Sequence, residues 1–351
     1  MQSDEILNIS VDAMGGDHAP DSVMDGLSMV VKERNKLRFI VHGDEEKLKP
    51  FLDKDSDLRA RTDIRHTEKV VAMDAKPSQA FRRGKGTSMW NALESVKNGE
   101  AAVAVSAGNT GALMAMSKVI LRMVDGVHRP AIAASWPTPE GSCVVLDVGA
   151  NVEADAEQLV EFAIMGDAYA RAVHGKESPG IGLLNIGSED LKGVDSVRMA
   201  SEILRNTDIG LNYLGFIEGN DISMGVADVV VTDGYTGNIA LKTAEGTARL
   251  VSGFVRDALS ANMLSKLGAL LAMGGLRKLK SRMDPRSVNG GVFLGLNGVV
   301  LKSHGGTDAT GFATTVRLAS NLARSDFSED VANSLQRLQE QTNTMQKALD
   351  A

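Results

Sequence analysis

Directly after the apolar run Ile6–Val11 the chain reads Asp12-Ala13-Met14-Gly15-Gly16-Asp17-His18-Ala19-Pro20. Asp12, Asp17 and His18 place titratable groups close together, and Gly15-Gly16 allows backbone to come near a ligand. The cluster can hold an anion or tune a neighbour's ionisation; equally it can be a turn with a helix cap at Asp17 or Asp21. It lacks paired D-x-D spacing, which argues against a metal site. Two later segments share one design. Ser106-Ala107-Gly108-Asn109-Thr110-Gly111 follows the run AAVAV, and Asp233-Gly234-Tyr235-Thr236-Gly237-Asn238 follows ADVVVT; each precedes a helical pattern. Unpaired N–H groups and the positive end of the dipole converge at such a helix start, which favours an anion. The plainer alternative is a well-capped turn. Lys192, in GSEDLKG, can bind phosphate or stabilise an oxyanion, or sit solvated in a loop. His304, in LKSHGG, is a donor or acid/base, or a structural residue of a Gly-rich turn.

Other chemistries lose support. No G-x-G-x-x-G follows a strand, and there is no G-x-x-x-x-G-K-[ST], H-E-x-x-H or G-x-S-x-G. The one cysteine, Cys143, lies in the apolar run CVVLDV and reads as an inert core thiol, with neither a disulfide nor a zinc cage available. Arg82, Arg83 and Lys85 form a basic run suited to an acidic partner or to a solvated face. Val251–Pro285 carries six basic and two acidic residues in a chain whose net charge is −7. Its recurring Leu and Met predict an amphipathic hairpin broken at Gly274-Gly275, suited to a membrane surface, a dimer interface or ordinary core.

These residues need positioning elements. Short apolar runs at Ile6–Val11, Leu37–His42, Ala101–Ser106, Ala131–Ser135, Cys143–Val148, Ile181–Ile186, Leu214–Ile217 and Asp228–Thr232 predict strands. Their lack of strict alternation suits strands buried on both faces of a parallel sheet. Helical spacing covers 113–123, 156–173 (with Asp155 as N-cap), 196–205, 239–259 and a polar terminal stretch, 328–351. Alternating strands and helices predict an α/β fold, with ligands beyond the carboxyl ends of the strands, all on one sheet edge. The length of 351 residues allows one large domain or two ordinary ones, and since no linker cuts the chain the expectation is one domain over 1–351, with the hairpin 251–285 and the terminal helix 328–351 included. Acidic charge and 4% aromatics disfavour nucleic-acid binding. The lack of an apolar leader or of a membrane-length apolar run predicts a cytoplasmic protein.

VDAMGGDHAP, SAGNTGALM, LDVGANVEA, GSEDLKG, ADVVVTDGYTGNIALKT and KSHGGTDA follow in order from about Ile6 to Ala323. Together they resemble the phosphate acyltransferase family of bacterial phospholipid synthesis, the PlsX family. The resemblance implies a three-layer α/β/α sandwich similar to isocitrate and isopropylmalate dehydrogenases and to phosphotransacetylases. It implies transfer of a long-chain acyl group from acyl carrier protein to inorganic phosphate, giving acyl phosphate for a downstream glycerol-3-phosphate acyltransferase. It also implies a homodimer, peripheral association with an anionic membrane, and no cofactor or metal. Phosphate is then the nucleophile. Lys192, Asn238 and His304 become the catalytic candidates. Asp12, Gly15, Gly16, His18, Gly108, Asn109, Thr110, Gly111, Asp233, Thr236 and Gly237 become the phosphate- and substrate-binding ones. Leu264, Leu267, Leu271, Arg277, Lys278 and Lys280 become membrane or carrier-protein contacts, with Arg82, Arg83 and Lys85 as further docking residues. The rival classes are a phosphotransacetylase acting on short acyl-coenzyme A and a non-catalytic membrane-associated scaffold; a decarboxylating dehydrogenase is a third, without an evident Asp set for a divalent metal.

Overall fold

The computed structural model describes residues 5–276 and 289–349. The strands are β1 (Leu7–Asp12), β2 (Leu37–Gly43), β3 (Thr62–His66), β4 (Val103–Ser106), β5 (Ala131–Thr138), β6 (Gly141–Leu146), β7 (Gly180–Leu184), β8 (Asn212–Ile217), β9 (Val229–Val231), β10 (Gly291–Leu294) and β11 (Val299–Lys302). They form a single sheet in the order β3-β2-β1-β4-β11-β10-β5-β6-β9-β7-β8. All eight sequence-predicted strands are present. β3, β10 and β11 were not anticipated: β3 alternates polar residues, and the other two are short runs set among glycines and asparagines.

Val103 and Val105 of β4 pack into one helical layer while Ala104 packs into the other; Val229, Val230 and Val231 of β9 alternate likewise. Both faces are therefore apolar, which is why the strands read as continuous hydrophobic runs. Helices Asp21–Glu33, Ala156–His174 and Ala309–Leu322 cover one face, and Ser88–Lys97, Thr110–Ile120 and Gly234–Ser260 the other. This is a three-layer α/β/α sandwich. Phe327–Leu349 begins where the terminal helix was expected, and docks on Ala156–His174 through an edge-on Phe327–Tyr169 ring contact and the Arg171–Asp330 ion pair at 3.0 Å.

The sheet is mixed, and this changes where strand ends fall. β3, β2, β1, β4 and β11 are parallel. β10 is antiparallel to both β11 and β5, and β6 is antiparallel to β5. β9, β7 and β8 follow the direction of β6. The carboxyl ends of β1, β4 and β11 therefore lie on one sheet edge, and those of β6, β9 and β7 on the opposite edge. The expectation of one shared edge is corrected by these three successive antiparallel joints.

The expected hairpin also breaks elsewhere. Gly234–Ser260 ends near Ala261, and Asn262 caps Met263–Leu271 by accepting from the Ser265 N–H at 2.9 Å. Gly274 and Gly275 lie inside a helical turn, 273–276. Arg277, Lys278, Lys280 and the remainder of the stretch to Pro285 lie outside the described residues.

Candidate active site

In register, Asp12 of β1 faces Ser106 of β4, and Ser106 faces Lys302 of β11. A carboxylate, a hydroxyl and an ammonium thus stand in one row across three strand ends. Ser106 Oγ donates to Asp12 Oδ2 at 2.7 Å and accepts from the Gly108 N–H at 3.0 Å. Asp12 is 1% exposed. Burial holds its carboxyl above the usual range, opposed by hydrogen bonds from Ser88, Ser106 and the backbone. Lys302 Nζ donates to the Ala107 carbonyl at 3.2 Å and to the Ser303 carbonyl. Burial lowers its pKa to about 8, with the Asp12 and Asp17 carboxylates pulling it back up. At neutral pH Lys302 is thus a partly desolvated cation.

Gly15 and Gly16 permit a close approach, but to the chain's own backbone. A Cβ at Gly15 would stand 2.7 Å from the Gly108 nitrogen. Gly16 has φ +110°, and a Cβ there would stand 3.1 Å from the Gly305 carbonyl oxygen. That carbonyl accepts from the Asp17 N–H at 2.8 Å. The loop after β1 is thereby wedged against the loops after β4 and β11. Buried Asn289 fastens the last of these. Its Nδ2 donates to Ser303 Oγ at 2.8 Å and to Thr307 Oγ1 at 3.0 Å, and its Oδ1 accepts from the His304 N–H at 3.2 Å.

On the opposite edge, Asp147 accepts from the N–H groups of Ile132 (3.0 Å), Gly149 (3.0 Å), Ala150 (2.9 Å) and Asn151 (2.7 Å), and from Asn151 Nδ2 at 2.9 Å. The donors of the DVGAN turn are consumed by this carboxylate. Asp233 accepts from both the N–H and the hydroxyl of Thr236 at 2.8 Å. Asn109 caps Ala112 at 2.9 Å and donates to the carbonyls of Met73 and Ala75 at 2.7 and 3.0 Å. Asn109 and Asp233 are thus engaged as caps, which is the plainer reading for these two residues.

The chemistry gathers in a cavity of about 380 Å³ between β5, β10 and the helix Gly234–Ser260. That helix crosses the sheet face from the β9 end towards the β11 end. Lys302, Ser303, His304 and Thr110 line the cavity, together with Asn238 and Val148. Ile132, Ala134, Trp136 and Leu241 provide apolar wall. Asn238 Nδ2 donates to the Val148 carbonyl at 3.0 Å. Glu245 Oε1 lies 3.8 Å from His304 Nε2, while Glu245 Oε2 accepts from Lys242 at 2.9 Å and from Arg249 at 3.4 Å. Partial burial lowers the His304 pKa, opposed chiefly by Glu245, so the imidazole is neutral at neutral pH.

Of the sequence-predicted residues, Thr110, Asn238 and His304 reach the cavity, and Asp12, Gly15, Gly16 and Gly108 form the buttress beside Lys302. Gly111 packs against Pro77, and Gly237 presses on the Asp147 carbonyl. His18 is exposed and offers its carbonyl to Ser22. Lys192 is exposed in the loop after β7, where its carbonyl accepts from Asn185 Nδ2 at 3.1 Å; it does not line the cavity. The lysines that do are Lys242 and Lys302. The signal of Lys302 in the sequence was a strand-ending lysine before Ser-His-Gly-Gly, hidden because VVLK is too short to announce a strand. Lys242 and Glu245 look like any polar face of an amphipathic helix. Among the described residues no group of three His, Cys, Asp or Glu side chains could hold a metal ion, and no helix is long and apolar enough to cross a membrane.

A family model described as "Fatty acid synthesis protein" matches residues 7–330. The chain is 59% identical over 333 residues to the phosphate acyltransferase of Maricaulis maris, covering 94% of this chain and 95% of that one. It is 56% identical over 332 residues to the phosphate acyltransferase of Caulobacter vibrioides, covering 95% and 92%. A phosphotransacetylase structure from Streptococcus pyogenes shares the fold, with TM-score 0.62 at 19% identity, over 90% of this chain and 94% of that one. The chain belongs to the fatty acid synthesis protein family.

Proposed function

We propose that this protein transfers a long-chain acyl group from acyl carrier protein to inorganic phosphate. The observation that carries the reading is the Lys302 ammonium, set beside Ser106 and Asp12, opening into a largely apolar cavity that also holds Asn238 and His304. A phosphate oxygen attacks the thioester carbonyl carbon. The carbonyl oxygen becomes a tetrahedral oxyanion, for which Lys302 and the Asn238 amide are the charge and hydrogen-bond donors. As the intermediate collapses the C–S bond breaks, the thiolate leaves and is protonated to the thiol, and acyl phosphate remains. Thiolate is a good leaving group, so a neutral His304 suffices as a positioning donor. No protein nucleophile is required. Cys143 is unsuited to that role, since burial pushes its thiol up to about 12. The names of the relatives support acyl transfer to phosphate, and the apolar cavity wall supports a fatty chain.

The chain is also read as a homodimer that works at an anionic membrane surface and hands its product to a glycerol-3-phosphate acyltransferase. The exposed apolar residues along Gly234–Ser260 and Met263–Leu271 support an intermolecular contact of that kind. The test of the reaction is chemical trapping. Purified protein is mixed with long-chain acyl–carrier protein, with and without phosphate, and hydroxylamine captures any acyl phosphate. Hydroxamate that depends on phosphate is the expected result. Hydroxamate from short acyl-coenzyme A alone would reassign the protein to the phosphotransacetylases, and none from either donor would remove the enzymatic reading.

A further inference from the structure

A second cavity, of about 670 Å³, lies against the first. The two share Lys242, Glu245, Ala248 and His304 as a common wall. Their chemistry differs. The first has an apolar wall of Ile132, Ala134, Trp136, Val148 and Leu241 that the second lacks, whereas the second adds Arg249, Arg256, Ser252, Asn289 and Thr307. Its carboxylates are Glu245, which already pairs with Lys242 and Arg249, and Asp308, whose Oδ1 caps Gly311 at 2.9 Å. Arg256 has no carboxylate partner among the described residues. An open, cationic, hydroxyl-bearing chamber next to an apolar one matches a ligand with a phosphorylated end and a neutral arm leading to an acyl group.

We propose that the second cavity receives the phosphorylated pantetheine arm of the thioester donor, with Arg249 and Arg256 binding its phosphate and the arm passing the Glu245–His304 wall to present the thioester near Lys302. This rests on the reading of the donor as a carrier-bound thioester. Arginine is suited to the role because its planar fork pairs with two phosphate oxygens at once. It also assigns the two phosphates of the reaction to different places, the nucleophile beside Lys302 and the arm beside Arg249.

The test is inhibition of acyl–carrier protein turnover by 4′-phosphopantetheine and by pantetheine, which differ only in the phosphate. Phosphate-dependent turnover by the unaltered protein establishes the underlying reading, and its absence defeats that reading instead. Given turnover, 4′-phosphopantetheine is expected to inhibit about tenfold more strongly than pantetheine, and competitively with the acyl donor. In Arg249→Gln/Arg256→Gln the two inhibitors are expected to become nearly equal while the thermal midpoint holds. Equal inhibition of the unaltered protein overturns the proposal, as does a preference that survives in the double variant. Competition with inorganic phosphate rather than with the acyl donor also overturns it, because the cavity would then belong to the nucleophile.

Discussion

Lys302 is the residue on which the site turns, because it brings a positive charge into a half-buried place with its partners already fixed. Its ammonium is held by two backbone carbonyls, and the nearby carboxylates only partly offset its desolvation. Lys302→Met is expected to reduce kcat about 100-fold or more, the scale of losing one preorganised oxyanion donor. The sign of the pH dependence follows from the depressed pKa. The cation is present below about 8 and is lost as pH rises through that value. Acyl phosphate formation should therefore decline on the alkaline side, well before an ordinary lysine would titrate. Lys302→Arg should keep its charge and remove that decline. Profiles of kcat between about pH 6 and 10 decide it, and a flat profile for the unaltered protein would show that this ammonium is not used.

The decisive element is the helix Gly234–Ser260, which supplies Asn238, Lys242 and Glu245 along one face. Its first turn is fixed by the Asp233 cap and by contact with the strand end at Asp147. A Cβ added at Gly237 would stand 2.0 Å from the Asp147 carbonyl oxygen, so backbone must move. Gly237→Ala is expected to cost on the order of 1–3 kcal/mol and to displace Asn238, lowering turnover along with the thermal midpoint. Gly246, two turns further on, is exposed and its Cβ would meet nothing within 4 Å. Gly246→Ala should stabilise by about 0.5–1 kcal/mol through helix propensity and leave turnover intact. Equal behaviour of the two variants in thermal unfolding would refute this account of the helix start.

For the whole molecule, exposed apolar residues run from the end of that helix into Met263–Leu271. Leu264 and Leu271 are 82% and 83% exposed, and Phe254, Met263, Leu267 and Leu270 extend the patch. A chain with net charge −7 gains nothing electrostatic from an anionic bilayer overall, so attachment there depends on local apolar insertion. The protein is expected to float with vesicles containing anionic lipid, and Leu264→Glu/Leu271→Glu to remain in the unbound fraction with its thermal midpoint unchanged. Co-flotation of the double variant to the same extent would show that this surface serves something other than the membrane.

Residue order alone determined much of this protein. Apolar runs buried on both faces announced eight of the eleven strands among the described residues, helical spacing marked five helices but not Asp21–Glu33 or Ala309–Leu322, and six ordered motifs carried the family, because each of these is written in contiguous residues. Asn238 and His304 were legible for the same reason. The tertiary structure decided what depends on strand direction. Three successive antiparallel joints, β11–β10, β10–β5 and β5–β6, send the ends of β6, β9 and β7 to the edge opposite Asp12. Lys192, in the loop after β7, stays outside the cavity, which Lys302, in register with Ser106, and Lys242 line. No local pattern encodes such a row, since hydrogen bonding between strands far apart in sequence sets both register and direction.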